Sequence, residues 1–319
     1  VAEAGKGGPG PCMKSPEGGT SCYGPSGAVT RIWQGAQTRL VTGLPSAADK
    51  GGKDGPSGAN AGGPHDVAVD KQGAIAVVIG LGANPQERAK LGIAGAGFGQ
   101  LITMDGKGTW RSMTDVSSHE VAANPDGGEI DSNPYAVLAD PNGGYVVADA
   151  GGNDLLRVDA TGRITTLAVF PDRMVKGPDG KQMPMQSVPT AITRGPGGAY
   201  YVAELTGFPF PQGAAQIYRV APGQAPTVYA KGFTNVIDLA FGRDGSLYVL
   251  EINKDGLMAA DKNGLTGALI RVAPDGTRTT VLSKGLVAPT GLAVGPDGAL
   301  YVSNDGVMAG QGQVIRIAV

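Results

Sequence analysis

The chain has 319 residues, 54 of them glycine, with 5% aromatic residues and a net charge of −2. It carries no long basic run, so nucleic acid is not an expected partner, because phosphate binding needs clustered Lys and Arg. It has no run of 18 apolar residues, so no membrane-spanning helix is expected.

One phrase recurs about every 45 residues: an apolar strand, a Gly-containing turn, a second strand ending in a carboxylate, and a third strand reading like Leu-Ile-Arg-Val. The clearest copy runs from Pro289 to Asn304 and continues at Val314–Ile317. Short strands and turn residues at this period predict an all-β, six-bladed β-propeller of four-stranded antiparallel blades. The expected blades cover about 1–42, 64–113, 134–168, 189–230, 236–282 and 289–319, as one domain.

The first blade opens with Val1-Ala2-Glu3, which matches the end of a second strand (compare Val202-Ala203-Glu204). Val29–Trp33 and Arg39–Thr42 follow as its third and fourth strands. Its innermost strand is missing, and so is the outermost strand of the sixth blade. One upstream segment of about 20 residues is expected to supply both, since an open edge invites aggregation. The start at Val1 without Met suits removal of a signal peptide and a secreted or periplasmic location.

Cys12 and Cys22 are the two cysteines, and both lie in one Gly/Pro-rich stretch. They read as a disulfide, because zinc would need further soft ligands or histidines. Closing so short a loop is worth roughly 2–3 kcal/mol of unfolded-chain entropy and implies an oxidising compartment. Two free thiols are the alternative.

Further along, Pro85–Leu91 has good helix formers after a first-turn Pro, and a short helix is expected there. The first-to-second turns are tight, as in Gly242-Arg-Asp-Gly245 and Gly295-Pro-Asp-Gly298. The long connections are Ala4–Ala28, Leu81–Gln100, Leu205–Ala215 and Ile252–Gly267, together with Gly43–Gly63, Thr114–Asn133 and Phe170–Val188. In an up-and-down blade both of these connection types fall on one face. Binding or catalysis is expected there, and a protein partner can also dock there.

The residues ending the second strands are Glu3, Ile79, Asp149, Glu204, Glu251 and Asn304. A repeat position forms a ring, so Glu3, Asp149, Glu204, Glu251 and Asn304 are candidate metal ligands near one channel mouth. Oxygen-only ligands favour Ca²⁺ or Mg²⁺, and no organic cofactor is implied. Asn133, Asn235 and Asp238 lie beside them at that mouth. The competing reading pairs each carboxylate with backbone amides or with an arginine, since Arg31, Arg157, Arg219, Arg271 and Arg316 recur as regularly. His65 beside Asp66 is the candidate general base, with a structural role as its alternative. His119 is the other histidine. Met174, Met183, Met185 and Phe208-Pro-Phe-Pro211 form either an apolar lid or ordinary loop packing.

The repeats, with Gly63-Pro-His-Asp-Val67, Asp131-Ser-Asn-Pro-Tyr135 and Ala148-Asp-Ala-Gly-Gly-Asn-Asp-Leu155, resemble the ScyD/ScyE family of secreted bacterial β-propellers. More distantly they look like NHL and SMP-30 propellers, which include metal-dependent lactonases. The resemblance implies the fold and a secreted protein, and leaves activity unassigned. The expected function is binding of a small molecule or divalent cation at the channel mouth in a non-catalytic or accessory role. The alternative is a metal-dependent hydrolase, lactonase or lyase of SMP-30 or streptogramin-lyase style.

Overall fold

Six antiparallel blade sheets follow one another along the chain, as the repeat predicts, with a separate two-stranded hairpin between the third and fourth, giving an all-β six-bladed β-propeller fold. The computed structural model describes residues 1–15, 19–51, 58–105, 108–260 and 264–319. Parts of three expected loops, 16–18, 52–57 and 261–263, lie outside the described residues. The chain divides into two compact units, Val1–Thr166 and Leu167–Val319.

In the first unit, blade one contains β1 (Ala2–Glu3), β2 (Cys12–Ser15), β3 (Gly19–Trp33) and β4 (Ala36–Asp49). This departs from the expected short strands. β3 and β4 pair from Trp33–Ala36 as far as Ser21–Asp49, so stretches expected to be loop form a long ribbon. The reason is a second apolar face: Met13, Leu44 and Ala47 bury against Leu91 and Phe98. Cys12 lies directly opposite Cys22 in the β2–β3 register, and the two are disulfide-bonded. The bond clips a hairpin of strands, because facing residues of an antiparallel pair are close enough to bridge.

Blade two contains β5 (Pro64–Val69), β6 (Ile75–Ile79), β7 (Gln100–Met104) and β8 (Trp110–Asp115). Between β6 and β7 the expected short helix is a 3-10 stretch over Pro85–Gly97, interrupted at Gly92. Asn84 caps it and Pro85 starts it. The glycines at 92, 95 and 97 deny it the length that a cooperative α-helix needs. A second helix, α1 (Val116–Ala123), occupies a segment expected to be loop. Asp115 caps its start by accepting from the Ser118 N–H, and Asn124 ends it in the left-handed region. Blade three contains β9 (Pro134–Ala139), β10 (Tyr145–Asp149), β11 (Asp154–Val158) and β12 (Ile164–Val169).

The second unit opens with a hairpin, β13 (Arg173–Lys176) and β14 (Gln182–Met185), inside another segment expected to be loop. Blade four contains β15 (Pro189–Arg194), β16 (Tyr200–Glu204), β17 (Ala215–Val220) and β18 (Thr227–Phe233). Blade five contains β19 (Val236–Phe241), β20 (Leu247–Glu251), β21 (Ala268–Val272) and β22 (Arg278–Leu282). Blade six has three strands, β23 (Gly291–Val294), β24 (Leu300–Asn304) and β25 (Gln313–Ile317).

Second strands form the core. Val146–Ala148, Val202, Ala203, Val249 and Leu250 are fully buried, as expected for strands covered on both faces. Apolar clusters fill the spaces between blades one and two, two and three, and four and five.

The tight turns between first and second strands carry a second repeated device. Asp140, Asp244 and Asp297 each accept from a backbone N–H two residues on. Each also pairs with the arginine of its own blade's third strand: Arg157, Arg271 and Arg316 respectively. The Arg271 guanidinium, with the Ser246 donors, lowers Asp244 to about 2. These three arginines therefore brace the tight-turn end. They are not the partners of the second-strand carboxylates.

Candidate functional site at the long-loop ends of the blades

A bulge shapes the loop end of four blades. Pairing of the first strand to the second skips one residue at Pro64/Asp66, Pro134/Ala136, Pro189/Ala191 and Val236/Asp238. Bulges re-aim side chains, and here they act on His65, Tyr135, Thr190 and Ile237. The His65 ring lies 4.8 Å from the Tyr135 ring, and its Nδ1 is 3.3 Å from the Pro134 carbonyl. Gly80 makes room for the imidazole: a Cβ there would sit 2.0 Å from His65 Cε1 and 2.6 Å from Asn133 Oδ1. Desolvation lowers His65 to about 4, against hydrogen bonds to Pro134 and Ala61 that raise it. The ring is neutral at pH 7 and a weak base.

Asp66 does not face that ring as a dyad partner. It accepts from its neighbour's Val67 N–H (2.7 Å) and from the Val137 N–H of blade three (2.9 Å). Desolvation nevertheless raises it to about 6. Asp238 repeats the arrangement in the second unit, accepting from Leu239 N–H and from Leu292 N–H of blade six. Thr190 donates to the Val236 carbonyl between blades four and five. These residues stitch neighbouring first strands together.

The second-strand residues each engage their own blade, and four do so at one spacing. Asp149 Oδ2 accepts from Ser132 Oγ, Glu204 Oε2 from Ser187 Oγ, Glu251 Oε1 from Thr234 N–H and Asn304 Oδ1 from Val287 N–H. Each donor lies 17 residues upstream, in the segment entering the same blade. Asp149 also accepts from the N–H groups of Asn133, Gly151 and Gly152. Glu3 accepts from Thr30 and Arg39. Glu204 is fully buried and pairs with Arg173 of the β13 hairpin. Desolvation raises Glu204, opposed by Arg173 and the hydrogen bonds, and raises Glu251, opposed by the Thr234 N–H and the charges of Arg278 and Lys254. Asn235 donates to the Leu205 carbonyl and accepts from Leu257 N–H, tying two long loops together. Asn133 Oδ1 is buried without a hydrogen-bond partner among the described residues. His119 Nε2 lies 3.3 Å from Thr166 Oγ1.

Two groups stand out, the first missed by the sequence reading and the second anticipated there only in Met174 and Phe208. One is an acidic cluster in the first unit: Glu120 on α1, Asp126 and Asp131 in the following loop, and Asp149 and Asp154 at the ends of β10 and β11. Desolvation and mutual repulsion raise Glu120 to about 7 and Asp131 to about 6, and push Asp154 well above the usual range. The signal was the non-repeated density of acids between 120 and 131. The other group is apolar and belongs to the second unit. Met174, Phe208, Met258, Val287 and Met308 are 47–63% exposed, and all five lie in second-to-third or fourth-to-first connections. Met185, by contrast, is buried at 1%.

The chain matches no protein-family model and no curated protein, so membership of the ScyD/ScyE family is not shown. Solved structures do match. A putative oxidoreductase (glucose dehydrogenase) from Thermus thermophilus aligns at 17% identity and TM-score 0.54, covering 100% of this chain and 99% of that one. XC5397 from Xanthomonas campestris, described as a gluconolactonase, aligns at 16% identity and TM-score 0.51, covering 97% and 88%. A streptogramin B lyase aligns at 16% identity and TM-score 0.48, covering 81% and 69%. At these identities the likeness shows the fold alone.

Proposed function

We propose that this is a secreted, non-catalytic binding protein that meets a small apolar molecule on the long loops of its second unit. The observation that carries this reading is the exposure of Met174, Phe208, Met258, Val287 and Met308 on the second-to-third and fourth-to-first connections of the second unit. Exposed apolar groups gathered at one end of a rigid sheet scaffold mark a binding surface, and methionine adapts to varied ligands. The disulfide suits an oxidising compartment. His65 and Asp66 support the same reading, because both are committed to backbone partners. A cation held by Glu3, Asp149, Glu204, Glu251 and Asn304 is the weaker part of the proposal, since each of these side chains already engages its own blade.

The test is a thermal-shift screen of the full chain against apolar small molecules and divalent cations. A binder should raise the melting temperature of the wild type and lose that effect in Phe208→Ser/Met258→Ser, whose ligand-free melting stays near wild type. Hydrolysis of simple sugar lactones that disappears in His65→Gln would replace this reading with the enzymatic one.

A further inference from the structure

We propose that the first unit binds one Ca²⁺ ion between helix α1 and the β10–β11 loop, with Glu120 and Asp154 as its principal ligands and Asp131 completing it. Glu120 is 2% exposed and Asp154 1% exposed. Glu120 Oε1, Asp131 Oδ1 and Asp154 Oδ1 are all buried with no hydrogen-bond partner among the described residues. Buried carboxylate oxygens are nearly always paired, so three orphans in one cluster ask for a partner. Among the described residues no Lys or Arg forms an ion pair with any acid of the cluster.

Gly152 shows how closely the carboxyls approach. A Cβ at that residue would lie 3.0 Å from Glu120 Oε2 and 3.6 Å from Asp149 Cγ. The glycine therefore leaves a cradle between the helix and the strand end. Asn153 fixes the loop by donating to Asp126 Oδ2 and to the Gly151 carbonyl. Asp149 is committed to Ser132 and three backbone amides, so it supplies field more than coordination.

No group of three or more His, Cys, Asp or Glu among the described residues is already arranged to hold a metal ion. Binding must draw the 124–131 loop inward over Glu120 and Asp154. That favours Ca²⁺, which accepts six to eight oxygens in irregular geometry, over Mg²⁺, which demands a near-ideal octahedron. Neutral oxygens such as Asn124 Oδ1, also buried and unpartnered among the described residues, suit it too.

The experiment is calorimetric titration of chelator-treated full chain with CaCl₂ and with MgCl₂, alongside thermal melts. One Ca²⁺ per chain is expected, with a dissociation constant on the order of 10⁻⁴–10⁻³ M or tighter, and a melting temperature that rises with Ca²⁺. Asp154→Asn and Glu120→Gln should each abolish the heat and the shift, while Glu204→Gln and Glu251→Gln keep both. Absence of Ca²⁺ heat in the wild type overturns the site, whatever the variants do. So does a Ca²⁺ shift that survives in both Asp154→Asn and Glu120→Gln. A shift lost only in Glu204→Gln and Glu251→Gln would place the ion at the second-strand carboxylates instead. Failure here leaves the apolar surface of the second unit untouched, because no residue is shared.

Discussion

Replacing Arg173 by Met should destabilise the protein through a charge that it never touches in solvent. Glu204 has no exposed surface, and the Arg173 side chain is 25% exposed. The guanidinium donates to Glu204 and, through both terminal nitrogens, to the Ala214 carbonyl at 3.0–3.1 Å. Removing one partner of a buried pair costs about 3–5 kcal/mol, because the other charge stays buried. Ser187 Oγ and Gln216 N–H still donate to Glu204, at 2.8 Å each. Those donors, and the partial exposure of Arg173, place the expected loss near the lower end, about 3 kcal/mol. The pH dependence identifies the cause. Without Arg173 the folded-state pKa of Glu204 rises further above its unfolded value. The folded state then binds the extra proton, so the penalty is full at pH 8 and shrinks as pH falls towards 5. Urea melts of Arg173→Met at both pH values measure this. Arg173→Met/Glu204→Gln should recover much of the loss, as expected for directly coupled sites. A loss below about 0.5 kcal/mol at pH 8, or one that is the same at pH 5, would refute the reasoning.

Gly80→Ala should cost on the order of 1–3 kcal/mol, since the new Cβ would overlap the His65 ring, and it should change the near-ultraviolet signal of Tyr135 packed on that ring. The titration of His65 and Asp66 has opposite signs. Asp66, raised to about 6, makes stability fall as pH rises from about 4 to 6, whereas His65, lowered to about 4, makes stability rise with pH from about 4 to 6.5. Relative to wild type, Asp66→Asn should therefore gain stability with rising pH across 4–6, and His65→Gln should lose it; denaturant midpoints at pH 4.5, 5.5 and 6.5 will show whether the two slopes diverge. Reducing Cys12–Cys22 should lower stability by roughly 2–3 kcal/mol, read as a drop in melting temperature with reductant that Cys12→Ser/Cys22→Ser does not show.

Much of the scaffold was legible because each blade repeats one phrase. Strand order, the tight Asp-Gly turns and the shared positions of Asp149, Glu204, Glu251 and Asn304 all follow from aligning copies. What the alignment hid was whatever departs from the repeat. Helix α1 is announced by Asp115 and Asn124 at its two ends, but its eight residues fall inside a connection. The β3–β4 ribbon extends because Leu44 and Ala47 find an apolar partner in Leu91 and Phe98, a tertiary contact that no local pattern records. The partner of Glu204 is Arg173, from a non-repeated hairpin, while three of the regularly spaced arginines, Arg157, Arg271 and Arg316, serve the opposite end of the blades. Regular spacing showed which positions are equivalent. It did not show which pairs meet.

The same division separates stability from function along this chain. The repeated polar residues hold the fold: second-strand acids and amides bind their own blade entry, first-strand Asp66 and Asp238 bridge to the next blade, and turn aspartates hold third-strand arginines. Each of these groups is already committed, and a committed carboxylate is a poor base and a poor ligand. Residues with capacity to spare lie in, or at the edge of, the connections inserted between the repeated strands. Glu120, Asp131 and Asp154 bring unpaired oxygens from around α1, and Met174, Phe208, Met258 and Met308 bring exposed apolar surface from four separate connections. A change at a repeated position should therefore move stability first, and a change in an insertion should move binding first. Asp238→Ala, which strands the Leu239 and Leu292 N–H groups, should lower the unfolding free energy by about 1–3 kcal/mol and leave ligand and Ca²⁺ affinity at 25 °C unchanged. Glu120→Gln should do the reverse, holding the cation-free melting temperature at or above that of wild type because it removes a repelled buried charge. If Asp238→Ala abolished binding while the chain stayed folded, the repeated positions would carry function as well as structure, and the division drawn here would be wrong.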